Sequence, residues 1–144
     1  MKVLIQRVSN ARVTVGSDTV GAIQAGLVLF VGLEPQDDNT VIQRMAERVL
    51  GYRIFADDQG KMNLDVRDVR GEILAVSQFT LAADTRRGRR PSFSTAAPPA
   101  QAEPGFNAFV AALARSGLTV ATGQFAADMQ VHLVNDGPVT FLLQ

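Results

Sequence analysis

Apolar and polar residues alternate in short runs along most of the chain. Val3, Ile5 and Arg7 share one face of a strand over residues 2–8, and Val13 and Val15 flank Thr14 in a second strand. Gly16-Ser17-Asp18 is a turn signal before Val20–Ile23, so residues 11–24 predict a hairpin. Leu27 to Leu33 is almost wholly apolar, the pattern of a strand buried on both faces. The period then lengthens. Val41, Ile42, Met45, Val49 and Leu50 recur at helical spacing, with Asp38, Asn39 or Thr40 as cap and Gly51 as stop. Arg53-Ile54-Phe55 is extended, Asp57–Gly60 is a turn into residues 61–64, and Glu72–Leu81 is a strong central strand.

Residues 82–105 break the pattern with four arginines and four prolines, and a loop of that length usually carries function or an interface. Glu103 to Arg115 predicts a second helix on Phe106, Phe109, Val110 and Leu113. Residues 118–122 and 129–134 predict strands, Asn135–Pro138 a turn, and Val139–Leu143 a last strand. Strands outnumber helices and hairpin signals recur. The expected class is α+β (mixed α/β), mainly antiparallel sheets in a barrel-like arrangement with two flanking helices, as a single domain over residues 1–144.

Composition narrows the chemistry. The chain of 144 residues has 14 basic and 14 acidic side chains, a formal net charge of zero, 47% hydrophobic residues and 19% charged. Such a chain is too apolar for disorder, and zero net charge argues against gripping nucleic acid by bulk charge while allowing a local basic patch. Cysteine is absent and histidine occurs once, at His132. Thiol nucleophiles, disulfides and cysteine-based metal sites are excluded, and the expected chemistry invokes no metal and no cofactor. Polar residues come too early for a signal peptide and no apolar run reaches membrane-spanning length, so a soluble cytoplasmic protein is expected, with no membrane partner.

Three constellations stand out. Ser77-Gln78-Phe79-Thr80 ends the most apolar strand, where a sheet holds polar groups rigidly near the surface. Ser77 and Phe79 should face one side, Gln78 and Thr80 the other. The plain alternative is ordinary strand chemistry. Asn135-Asp136-Gly137-Pro138 reads either as a simple hairpin turn or as a rigid Gly-Pro pair with a cis bond. Arg86, Arg87, Arg89 and Arg90 read either as a solvated charge run or as a contact for RNA phosphates. His132 projects away from Val131 and Leu133 and reads as a packed or rim residue rather than a base. Ser77 and Thr80 are the best nucleophile candidates, yet neither has a visible base. A hydrolase built from these residues would position substrate and water, with backbone N–H groups stabilising the oxyanion.

Ser77-Gln78-Phe79-Thr80-Leu81 together with Asn135-Asp136-Gly137-Pro138-Val139-Thr140 resembles the D-aminoacyl-tRNA deacylase (D-tyrosyl-tRNA deacylase) family. Gln6-Arg7-Val8, Gly60-Lys61-Met62-Asn63, Gly88–Phe93 and Ala127-Asp128-Met129 resemble it in the same order, over essentially the whole chain. Ala126 departs from the pattern, since many members have glycine there. The resemblance implies hydrolysis of the ester joining a D-amino acid, or mischarged glycine, to the 3′ end of tRNA. It implies a homodimer in which Gly137-Pro138 of one subunit enters the other's pocket and excludes L side chains, with Arg7 holding that pair. Ser77, Gln78, Phe79 and Thr80 would line the pocket, with Phe125 and Met129 near the terminal adenosine and the acceptor stem beyond. Two other readings remain: a non-catalytic RNA-binding or interaction module, and an enzyme acting on free D-amino-acid esters.

Overall fold

The computed structural model describes every residue from Met1 to Gln144. Its organising element is β1, Lys2–Val15, which is twice the expected length. One edge of β1 is shared between two partners. Residues 2–8 pair antiparallel with β3 (Gly26–Gly32), and residues 11–15 pair antiparallel with β2 (Asp18–Ile23). The other edge pairs with β8 (Gln130–Leu143) nearly end to end. The predicted gap between residues 8 and 11 is therefore not a loop. Register shifts against β8 on either side of Val8 reset the alternation. Val3 and Ile5 consequently face one core, while Val8, Ala11 and Val13 face another.

The sheet continues from β3 to β6 (Glu72–Ser77) and from β6 to β7 (Val120–Thr122), and both of these pairings are parallel. Hairpin signals could not reveal them, because parallel neighbours need crossovers. The first crossover contains helix α1 (Asn39–Leu50) and a small ribbon of β4 (Phe55–Ala56) with β5 (Met62–Leu64). The second contains helix α2 (Pro99–Ala114). The expected class holds: antiparallel pairings predominate in a nearly closed, barrel-like sheet flanked by two helices. No helix is long and apolar enough to cross a membrane.

Local chemistry explains the boundaries. Asp38 caps α1, its Oδ1 accepting from the Val41 N–H at 2.9 Å. Helix α2 starts at Pro99, four residues before the predicted Glu103. Pro104 reads as a helix start, but Pro99 already holds the first helical position. The Gln101 and Ala102 N–H groups both reach the Pro98 carbonyl, at 2.9 Å each, and carry the helix past Pro104. The central strand stops at Ser77 rather than Leu81. The Gln78 N–H still reaches the Val31 carbonyl at 2.8 Å, and the chain then tightens into a 3₁₀ turn over Phe79–Ala82.

The two faces of the sheet carry different cores. Leu27, Leu29, Val31, Ile73 and Ala75 pack with the helices, around the fully buried Phe109 and Leu113. Val28, Leu74 and Val76 face inward with Val8, Ala11, Val13 and Ile23. Residues 27–29 are fully buried, as the apolar run predicted. The curl brings β2 against β7 at Gly21, where an added Cβ would stand 2.2 Å from the Thr122 carbonyl oxygen. A side chain there would force the closing strands apart. Gly21→Ala is expected to cost about 1–3 kcal/mol of stability, the usual penalty for overpacking, read as a lower urea midpoint with an unchanged slope. An unchanged midpoint would show that the closure is loose.

Candidate functional site

The end of β6 opens into a cavity of about 820 Å³. Val76, Ser77, Gln78 and Phe79 form one wall, and Phe93, Ser94 and Ala96 to Pro99 with Ala102 form the second. Phe125 to Met129 and Val131 form the third. Most of the lining is apolar, with Ser77, Gln78, Ser94 and Asp128 as the polar exceptions, a composition typical of sites for organic ligands. Phe125 and Met129 thus sit across the cavity from Ser77, Gln78 and Phe79. A shallower hollow of about 410 Å³ lies beside it, lined by Leu4, Phe30, Gln78, Thr80 and Leu81. Gln78 belongs to both. The expected alternation holds only in part: Ser77 and Phe79 line the large cavity and Thr80 the hollow, but Gln78 lines both, because the strand has already given way to the 3₁₀ turn.

Gln78 also joins the two chemically. Its Nε2 donates to Thr80 Oγ1 at 2.6 Å. The Thr80 oxygen therefore accepts a hydrogen bond and keeps its own proton to donate. The first bond of the 3₁₀ turn runs from the Leu81 N–H to the Gln78 carbonyl at 3.1 Å. The Phe79 and Thr80 N–H groups precede it and need no partner inside the turn. His132 lines neither cavity. Its ring nitrogens lie 3.5 Å from Arg12 Nη2 and 3.4 Å from Thr14 Oγ1 on the β1–β8 ribbon, the rim position expected of it.

Arg7, Gly137 and Pro138 form a separate cluster. The register passes from Gln6 opposite Thr140 to Val8 opposite Asn135, so residues 136–139 of β8 face Arg7 alone. Asn135–Pro138 is accordingly no hairpin turn. It is a wide bulge within one strand, and the turn-like sequence reflects residues expelled from the ladder. Arg7 braces it: Nε donates to the Asp136 carbonyl at 3.0 Å and Nη1 to the Ile54 carbonyl at 2.6 Å. Asn135 Nδ2 donates to the Arg7 carbonyl at 2.9 Å and the Val139 carbonyl at 3.1 Å. Gly137 and Pro138 are exposed and joined by a cis bond. Added at Gly137, a Cβ would stand 2.1 Å from the Val139 nitrogen. Neither cavity includes the pair among its lining residues.

The irregular segment resolves into a loop closed by mutual backbone bonds between Asp84 and Ser92, at 2.8 and 3.0 Å. Asp84 binds Arg86 through both carboxylate oxygens, at 2.8 Å each, and the Arg86 guanidinium holds that carboxyl well below the usual range. Ser94, Pro98 and Pro99 line the cavity without having been proposed as site residues, and the proline-rich break in patterning was their only signal. Phe93 and Asp128 also line it, and only the segments that resemble the family pointed to them.

The sequence profile of the D-Tyr-tRNA(Tyr) deacylase family matches residues 4–144. A D-aminoacyl-tRNA deacylase of Alcanivorax borkumensis is 63% identical over 144 residues, covering 100% of this chain and 99% of that one. Another from Saccharophagus degradans is 59% identical over 143 residues, covering 99% of each. A solved structure of a protein named c-Myc DNA Unwinding Element Binding Protein superposes with a TM-score of 0.94 at 40% identity, covering 100% of this chain and 98% of that one. A probable eukaryotic D-amino acid tRNA deacylase shares the fold, with a TM-score of 0.88 at 13% identity over 99% of this chain and 97% of that one. The chain belongs to the D-Tyr-tRNA(Tyr) deacylase family and is a hydrolase of that family.

Ala126, in the cavity's third wall, has φ +61°. A left-handed alanine costs about 1–2 kcal/mol, while glycine there raises the entropy of the unfolded chain by about 0.4–1 kcal/mol. Ala126→Gly is therefore expected to stabilise the protein by roughly 0.5–1 kcal/mol in equilibrium unfolding. A destabilised variant would mean that the Ala126 methyl group packs usefully.

Proposed function

We propose that this chain hydrolyses the ester joining a D-amino acid, or misplaced glycine, to the 3′ end of tRNA, and leaves L-aminoacyl-tRNA intact. The observation that carries the reading is the meeting of Ser77, Gln78 and Phe79 with Phe125 and Met129 across one largely apolar cavity. The terminal adenosine occupies the side of Phe125 and Met129. The ester then lies at Ser77–Thr80, where the Phe79 and Thr80 N–H groups receive the negative charge that develops on the carbonyl oxygen.

Water attacks the ester carbonyl carbon, the bond to the ribose oxygen breaks, and the products are the free amino acid and the ribose hydroxyl. Asp128 is the only titratable side chain lining the large cavity, and the hollow has none. Thr80 therefore positions rather than attacks, and the neighbouring 2′-hydroxyl of the substrate assists the water. Thr80→Ala is expected to lower kcat, while mass spectrometry of quenched wild-type turnover shows no acyl-protein adduct. An adduct trapped on Thr80 of the wild type would identify it as the nucleophile.

Chiral selection comes from a second copy. The exposed Gly137-Pro138 pair of one subunit reaches the hollow beside Thr80 in the other. Leu4, Phe30 and the 45%-exposed Leu142 stand side by side next to that hollow and suit a covered face. Carbonyls held rigid by the Arg7 and Asn135 bonds leave room for hydrogen but not for an L side chain. The test is paired deacylation of D-Tyr-tRNA and L-Tyr-tRNA, with sedimentation to establish a dimer. Gly137→Val is expected to reduce the D/L rate ratio tenfold or more, equivalent to about 1.4 kcal/mol of lost discrimination. Unchanged preference, or full preference in a monomer, would overturn the filter.

The 40%-identical solved structure is named as a DNA-binding protein, which favours a second reading, a nucleic-acid-binding module without turnover. Retained tRNA binding with no hydrolysis of D-Tyr-tRNA would establish it. On the deacylase reading the protein works in the cytoplasm, beside its substrate.

A further inference from the structure

The Asp84–Ser92 bridge divides the irregular segment into two parts. Beyond the bridge is the arginine tip. Residues 84–92 hold four arginines and one aspartate, and Asp84 is committed to Arg86. Arg87, Arg89 and Arg90 are exposed and have no carboxylate partner. Below the bridge, Phe79 and Phe93 pair with ring centroids 5.2 Å apart and planes at 54°. Both line the mouth of the cavity, yet they are 56% and 46% exposed. Two large aromatic side chains left this open are unusual unless something covers them.

The segment is also held firmly. Thr95 Oγ1 donates to the Ala82 carbonyl at 2.6 Å, and the Ala97 N–H to the Leu33 carbonyl at 2.9 Å. Arg90 is three residues from Phe93, which limits their separation to about 10 Å of extended chain. Exposed aromatic faces beside unpaired guanidinium groups are the recognition chemistry of single-stranded nucleic acid.

We propose that these two parts form a track for the RNA strand leading into the cavity. The Phe79–Phe93 pair stacks the base that precedes the terminal nucleotide, and Arg87, Arg89 and Arg90 hold the phosphates beyond it. Arg86 is excluded from the grip and serves instead, through Asp84, to shape the loop. The track rests on the deacylase reading for its cavity occupant, but it is tested separately.

The experiment compares wild type, Arg87→Glu/Arg90→Glu, Phe93→Ala and Phe93→Tyr. Binding of uncharged tRNA is followed across a salt titration. Hydrolysis is followed on D-Tyr-tRNA and on D-tyrosyl-adenosine, which has no preceding nucleotide. The double reversal is expected to weaken tRNA binding at least about tenfold. It should also flatten the log–log salt slope by about 0.7 for each phosphate no longer held. KM for D-Tyr-tRNA should rise with kcat unchanged. Phe93→Ala should raise KM for D-Tyr-tRNA about fivefold or more relative to D-tyrosyl-adenosine, and Phe93→Tyr should restore it. Unchanged tRNA affinity and salt slope in the double reversal would overturn the track. So would equal losses on tRNA and the short ester, which indicate a damaged cavity. A wild type that hydrolyses neither ester refutes the deacylase reading, while the salt titration still decides the track.

Discussion

Everything in this fold depends on β1 pairing along both edges at once. One edge serves β3 and then β2, and the other runs along β8. That arrangement ties the helix-covered core to the interior of the curled sheet, because β1 contributes side chains to both. It also fixes where the strand can tolerate irregularity. The bulge in β8 falls opposite Arg7, next to the position where β1 changes its buried face. The guanidinium there converts a gap in the ladder into a braced protrusion: its donors meet backbone carbonyls of two different segments. Hydrogen bonds to a charged group contribute about 1.5–3 kcal/mol each, enough to hold a short bulge in one conformation.

Much of this was legible in the sequence because burial imposes its period on the residues. The doubly buried run at Leu27–Val31, the Asp38 cap and the apolar stripe of α1 appear where the pattern places them. Arg7 also shares the face of Val3 and Ile5, as alternation requires. Illegible features share one physical cause: a distant partner decides them. Nothing near Val8 announces that β1 continues, because its partner in β8 is more than a hundred residues away. The parallel pairing of β3 with β6 is likewise set by the α1 crossover rather than by a turn. Helix α2 starts before the expected Glu103 because Pro99 supplies a first helical position upstream of the apolar stripe.

The candidate site was legible in part for the same reason. Ser77, Gln78 and Phe79 are local to one strand end, so pattern and resemblance both find them. The opposite walls come from the proline-rich approach to α2 and from the loop before β8, which carry no periodic signal. Gly137 and Pro138 line neither cavity, because the bulge that carries them is set by the β1–β8 register and not by the end of β6. The zero net charge conceals a local excess, since four of the twelve arginines lie within five positions of one loop.

The Asp84–Ser92 bridge separates two jobs mechanically. Residues on the protein side of the bridge are pinned to the walls of the cavity, whereas those beyond it touch little else. Changes of length at the tip face only the slow growth of loop-closure entropy, about 0.6 kcal/mol per doubling. The loop is therefore the place where this architecture can lengthen, shorten or recharge its reach without retuning the cavity.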